Sequence, residues 1–286
     1  MPTHLISLYD IHHYLQMGSD TAMDDNTPNA DATLPRRSGL RFLDSGTYET
    51  TLLPIAPGDP EGPEGHLPWS RDLYLETAGM HGCPGDVLVS YDDPTKTLTE
   101  QIVEGWSAFA HVTTPGIRRS LLVHPNGAAP ATLADIVARH AADLDILGIT
   151  EKDISPPWFL AAAYLRDLRA ALDVALGRYV PLHIFGCFDP QTIPFYFFSG
   201  ADVFDGLAWM RCYFRDGHAY YVKEYEYAAT EAELLDPEVA TRSLLEHNVE
   251  EMERLRADLR YAVLTGDCAQ FEPHLRRLYD LVPPAS

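Results

Sequence analysis

Short apolar, β-branched runs recur along the chain, and longer stretches with helical spacing separate most of the later ones. The runs predict strands over Leu5–Tyr9, Leu40–Leu43, Val87–Tyr91, Ser120–Val123, Leu144–Ile149, Pro181–Phe185 and Asp202–Phe204. Thr97 and Glu100 form a capping box ahead of Ile102, Val103, Trp106, Phe109 and Ala110, which share one helical face. Thr132 and Asp135 repeat the device before Ile136 and Val137. A third helix is expected to start at Ser155 as N-cap, with Pro156 in its first turn. It holds Trp158, Leu165, Leu168, Leu172 and Leu176 and stops at Gly177. Two last helices, Pro237–Leu264 and Ala269–Leu281, flank Gly266-Asp267 and make a C-terminal helical segment, 237–281. Strand–helix alternation means an α/β fold. About seven β/α units suit a reduced (β/α)8 TIM-like barrel with C-terminal helices better than an open sheet, with 1–286 as a single domain.

Two segments interrupt this pattern. Residues 17–38 are polar and rich in Asp and Asn, and residues 54–69 are rich in proline and glycine, so both are expected to be loops. Each follows an expected strand, on the side where a barrel builds its active site. Functional lids and plain insertions both fit them.

Composition narrows the class. With 286 residues, 46% of them hydrophobic, the chain carries enough apolar material for a sizeable core. It lacks a run of about 18 apolar residues, and its first residues lack the order of a signal peptide, so a cytoplasmic protein without a membrane span is expected. Cys83, Cys187, Cys212 and Cys268 lie far apart without a C-x-x-C pair, which argues against disulfides and a zinc ribbon. The 42 acidic residues against 21 basic ones give a net charge of −21. Taken alone, that points away from nucleic acid, whose affinity rests on neutralised phosphates.

The chemistry on offer lies in carboxylates that end strands. Asp44 follows Arg41-Phe42-Leu43 and precedes Ser45-Gly46; Asp92 and Asp93 end the run from Val87; Asp205 follows Val203-Phe204. In a parallel barrel such ends share one face, where carboxylates in different environments can divide acid, base and nucleophile roles. An Asp after a strand is also an ordinary turn or cap former. His12 and His13 are adjacent, and His247 and Cys212 stand alone in sequence, so no metal is expected. Neither G-x-G-x-x-G nor a Walker A sequence occurs, and no cofactor is expected.

Six segments in order carry a family resemblance. Leu43-Asp44-Ser45-Gly46-Thr47-Tyr48 resembles the D-S-G-G-F motif of tRNA-guanine transglycosylases. Pro181-Leu182-His183-Ile184-Phe185-Gly186, then Gly200-Ala201-Asp202-Val203-Phe204-Asp205 and Arg211, resemble their P-x-H-x-x-G and G-x-D-x-F-D-x5-R segments. Gly85-Asp86-Val87 with Tyr91-Asp92-Asp93, Asp145-Ile146-Leu147-Gly148-Ile149 and Leu245-Glu246-His247-Asn248 are similar to further family segments. The resemblance covers most of Leu40–Tyr279. It implies exchange of guanine in nucleic acid for a 7-deazaguanine, DNA being favoured over tRNA. By match to the family, Asp205 is the nucleophile at C1′ and Asp44 the general acid/base. Asp92 reads the donor edge of the purine, while Ser45 and Arg211 belong to the matched motifs. Tyr48 stacks on the base, Asn126 stands near the family's base-binding Gln, and Gly148 and Ile149 supply backbone contacts. Asp202 is structural. The family's C-x-C-x2-C zinc ligands are reduced to Cys212, so the resemblance implies a zinc-less member with His247 left over.

Two other functions stay open on the sequence: a binding or scaffold subunit of a transglycosylase complex, and a transglycosylase or N-glycosidase acting on a small nucleoside or nucleotide. The basic residues are mostly arginine and partly clustered, at Arg36, Arg37 and Arg41, Arg118 and Arg119, Arg211, and Arg254, Arg256, Arg260, Arg276 and Arg277. They suit either a local phosphate track or salt bridges along helices. The acidic balance implies weak unaided binding to a polymer, and a partner protein or a homodimer to supply affinity.

Overall fold

The computed structural model describes residues 3–9, 11, 40–47, 69–154, 156–206, 212–215, 218–221 and 237–283. The expected loop 17–38, all of 54–69 except Trp69, and Ser155, Tyr48 and Arg211 lie outside the described residues. The fold is α/β, and seven parallel strands follow one another in chain order through one sheet: β1 (Thr3–Ser7), β2 (Leu40–Asp44), β3 (Val87–Val89), β4 (Arg118–Val123), β5 (Ile146–Thr150), β6 (Leu182–Phe185) and β7 (Val203–Phe204). The helices α1 (Arg71–His81), α2 (Leu98–Ala108), α3 (Pro130–His140), α4 (Glu151–Ile154), α5 (Trp158–Leu176) and α6 (Thr192–Phe198) lie between them in sequence. After β7 come an antiparallel pair, β8 (Cys212–Arg215) and β9 (His218–Tyr221), and then α7 (Pro237–Thr265) and α8 (Glu272–Leu281). No helix among the described residues is long and apolar enough to cross a membrane.

The chain divides into two compact units, one of residues 1–128 and 135–148, the other of 129–134 and 149–286. In the first, β1 to β4 pair in parallel, with Ser7 opposite Asp44, Leu43 opposite Leu88 and Val89 opposite Ser120. All of β3 and the last four residues of β4 are buried, as strands covered on both faces must be. Leu8, Leu43, Tyr74, Leu88 and Phe109 form the core beside them. Tyr74 is wholly buried on α1, and its hydroxyl donates to the Val89 carbonyl at 2.5 Å, so the phenol costs no unsatisfied group. The capping box is present: Glu100 N donates to Thr97 Oγ1 at 3.4 Å, and Thr97 N donates to Glu100 Oε2 at 2.9 Å.

In the second unit, β6 and β7 pair with His183 opposite Val203. Trp158 of α5 stacks on Phe195 of α6 at 4.0 Å, and Phe198 meets Phe271 at 5.4 Å, ahead of α8. The Asn248 side chain, fully buried on α7, accepts from Phe214 N at 2.9 Å and donates to the Cys212 carbonyl at 2.6 Å. It thus serves β8 as a neighbouring strand would. His247 donates from Nε2 to the Phe214 carbonyl at 2.6 Å and stacks on Tyr213. The Glu-His-Asn segment therefore fastens a hairpin to a helix. Among the described residues no group of three or more His, Cys, Asp or Glu is arranged to hold a metal ion.

Two expected helix starts shift. α5 begins at Trp158, with Pro157 in extended conformation as its N-cap and no side-chain cap, and the earlier expected start fails because a residue before proline is kept out of the helical region. Pro156 precedes Pro157 and so cannot open the helix. α3 begins at Pro130, whose fixed φ suits a first helical position, and Leu133 N bonds the Ala129 carbonyl at 3.1 Å. Thr132 and Asp135 therefore lie within the first turns rather than bracketing the N-cap.

Candidate functional site

Asp44, the last residue of β2, is followed by a turn whose shape depends on glycine. Gly46 has φ +72°, and a Cβ there would sit 2.5 Å from Tyr9 Cβ and 2.9 Å from Tyr9 N. Only a residue without a side chain allows the end of β1 to approach this closely. The turn aims Ser45 inward: 2% exposed, its Oγ donates to Asp92 Oδ1 at 2.8 Å and accepts from Thr47 N and Oγ1 at 3.3 and 3.1 Å. Trp69 Nε1 donates to the Ser45 carbonyl at 3.0 Å. Gly46 N points at Asp44 Oδ2 at 3.4 Å.

Asp92 comes three residues after β3 and has both oxygens engaged. Oδ1 accepts from Ser45, and Oδ2 accepts from His124 Nε2 at 2.9 Å. His124, directly after β4, is buried. A carboxylate only accepts, so the imidazole proton facing it sits on Nε2. The adjacent Asp93 is used differently. Thr95 donates to it from Oγ1 at 2.6 Å and N at 3.0 Å, and the hydroxyl bond holds its carboxyl below the usual range. That is an Asx turn at the surface. The charges of Asp44 and Asp92 both reach Tyr74, whose phenol is pushed up first by burial and then by these two carboxylates. Asp44, Ser45, Asp92 and His124 thus gather at the ends of β2, β3 and β4. His124 was not among the expected site residues; its only sequence signal is a polar residue ending the run Leu121-Leu122-Val123.

Asn126 makes a different bond. It has φ +52°, is exposed, and donates from Nδ2 to the Lys96 carbonyl at 3.2 Å, so it shapes a turn with Gly127. Gly148 and Ile149 are buried within β5, and Tyr48 and Arg211 lie outside the described residues.

In the second unit, Asp205 directly follows β7, with its side chain 20% exposed. His183 Nε2, on the neighbouring β6 and 1% exposed, donates to Asp205 Oδ1 at 2.8 Å. Oδ2 accepts no hydrogen bond from a described residue. The His183 ring stacks on Phe185 at 3.7 Å, which fixes the plane from which it donates. A Cβ at Gly206 would lie 3.0 Å from Phe188 Cβ and 3.2 Å from the Gly186 carbonyl, so the chain after Asp205 is pressed against the end of β6. Asp202 takes no part: Tyr179 bonds its Oδ1, and Leu182 N donates to Oδ2 at 2.9 Å.

Glu151 and Cys187 join this cluster unannounced by any motif. Glu151 opens α4 directly after β5, and its carboxyl is raised above the ordinary value, chiefly by burial and further by the charge of Asp189. The nearby Tyr196 hydroxyl and Cys187 thiol oppose the shift. Burial pushes the Cys187 thiol well up, with Glu151, Asp189 and Asp205 adding to it, so it stays a neutral thiol. A raised folded pKa means that the native state holds the Glu151 proton more tightly than the unfolded chain. The resulting stability is full below the ordinary glutamate value and is lost as pH rises through the folded one. Glu151→Gln, permanently neutral, is therefore expected to gain stability over the parent protein as pH rises across that interval. Urea midpoints measured from acid to neutral pH check this; a constant difference would show that Glu151 titrates normally.

Three of the arginines on the terminal helices are paired. Arg254 pairs with Glu251, Arg256 with Glu253 and Arg276 with Glu272, each within its own helix, and Arg41 binds Asp86. Comparison with family models and with curated proteins finds no match for the chain.

Proposed function

We propose that the chain is a reduced (β/α)8 TIM-like barrel that works as a guanine transglycosylase-like pentosyltransferase, replacing guanine in nucleic acid, DNA before tRNA, by a 7-deazaguanine. The observation that carries the reading is the state of Asp205. One oxygen is fixed by His183 and the other is unoccupied among the described residues, as a carboxylate nucleophile requires. The family motifs around Asp44, Asp92 and Asp205 support it, as does the gathering of Asp44 with Asp92 around Tyr74.

In this reaction Asp205 Oδ2 attacks C1′ as the C1′–N9 bond breaks, giving a glycosyl–aspartate ester. Protonated Asp44 supplies the proton that the departing guanine takes up. The Asp44 carboxylate then removes the N9 proton of the incoming base, whose nitrogen attacks C1′ and frees Asp205. Asp92 offers lone pairs to the N–H edge of either base. α7 and α8 together carry more acidic residues than arginines, which favours delivery of the polymer by a partner protein or through a homodimer.

Exchange of radiolabelled guanine into guanine-containing duplex DNA and into tRNA tests the reading. Label is expected in DNA, with binding that weakens steeply as salt rises. Labelling of neither polymer, with or without added 7-cyano-7-deazaguanine, would overturn it.

A further inference from the structure

Asp92 is gripped from inside on both oxygens, and the grip does not depend on a ligand. Ser45 and His124 are each 2% exposed, and they donate to opposite oxygens of one carboxylate at 2.8 and 2.9 Å. His124 is itself locked through its backbone. Its N donates to Gln101 Oε1 at 2.8 Å, and Gln101 Nε2 donates back to the His124 carbonyl at 3.3 Å and to the Lys96 carbonyl at 2.9 Å. Gln101 is buried on α2, so the helix holds the backbone that carries the imidazole before any substrate arrives. A carboxylate has about four acceptor positions. Two are taken by these donors, and the rest present lone pairs only.

Resting on the transglycosylase reading, we propose that His124 is the positioning residue of the base-reading site, holding Asp92 as a pure acceptor that selects a purine with adjacent N–H and NH2 donors. Asn126, the residue the family resemblance suggests, is turned to the Lys96 carbonyl instead. The recognised class is a guanine-like cis-amidine edge. A purine lacking the exocyclic amine leaves one acceptor of Asp92 unpaired and loses affinity for that reason.

Calorimetric titration of the full chain with 7-cyano-7-deazaguanine, and with its analogue lacking the 2-amino group, tests this in the parent protein and in His124→Ala, His124→Gln, Asp92→Asn and the His124→Ala/Asp92→Asn double variant. His124→Ala is expected to weaken binding of the amino-bearing base by about 10- to 100-fold and to shrink its preference over the analogue. His124→Gln restores most of both, because its amide can donate to Asp92. The double variant binds no worse than Asp92→Asn, since His124 acts through Asp92. Unchanged binding in His124→Ala, equal losses for the two bases, or losses that multiply in the double variant would each overturn the assignment. Should His124→Ala fail to fold, His124→Gln in the parent and Asp92→Asn backgrounds decides: parent-like affinity and preference in the first, and no further loss in the second, support the proposal, and any other result overturns it. A parent protein that binds neither base overturns the transglycosylase reading as well, an outcome distinct from loss of the His124 assignment alone.

Discussion

Asp205→Asn is expected to abolish the covalent adduct with guanine-containing DNA and to lower base exchange on the order of 10⁴-fold or more. The substitution keeps shape and volume beside His183 while removing the nucleophile. The asparagine carbonyl can still accept from His183 Nε2, the 2.8 Å bond that Asp205 makes, and this leaves the amide nitrogen where Oδ2 stood. An amide nitrogen has no free electron pair to attack C1′. Because the side chain is partly exposed and its packing unchanged, the thermal midpoint should move little. Denaturing gels and intact mass of the protein–DNA product give the readout; an adduct of undiminished yield in the variant would remove Asp205 from the chemistry.

Asp44→Asn carries the second largest effect, and it fails differently. Losing a general acid/base typically costs about 10²- to 10⁴-fold. Here the loss falls on both half-reactions, since departing guanine lacks its proton donor and the incoming base keeps its N9 proton. The adduct should still form on long incubation, because Asp205 is intact, and should then persist when free base is added. Asp44 ends β2, with Gly46 N 3.4 Å from its Oδ2, so the amide substitution brings a donor toward a donor only weakly and the turn should hold. Single-turnover formation and discharge of the adduct separate the two carboxylates. Parent-like rates for both steps would show that Asp44 only shapes the turn.

Much of the frame was legible because it rests on local chemistry. The apolar runs give every parallel strand to within a few residues, and the Thr97–Glu100 box and the left-handed Gly177 bound their helices as read. α1 has no counterpart among the expected helices: Arg71–His81 buries only Tyr74, Thr77 and Ala78, too few positions to make a periodic stripe. α6 and the β8–β9 hairpin are also absent from the expectation, being short elements with long neighbours. Asp44, Asp92 and Asp205 stand out among the candidate residues because each follows an apolar run in the sequence. Their partners do not, since His124 is 32 residues from Asp92 and His183 is 22 from Asp205. His183 entered through a motif without a role, and Glu151 acquires its character only from burial beside Tyr196 and Cys187. Pairings across such separations are made by the sheet, and no spacing rule anticipates them.

The Asn248 amide ties β8 to α7 across 34 and 36 residues of chain. A lone two-stranded ribbon is marginal in water, so the hairpin depends on the surface that α7 offers. The helix, 29 residues long and burying Leu259 and Ala262 beyond this tie, has other support. Unfastening the Asn248 side chain is therefore expected to release β8 and β9 together, rather than fray either strand from its end, while the helix stays.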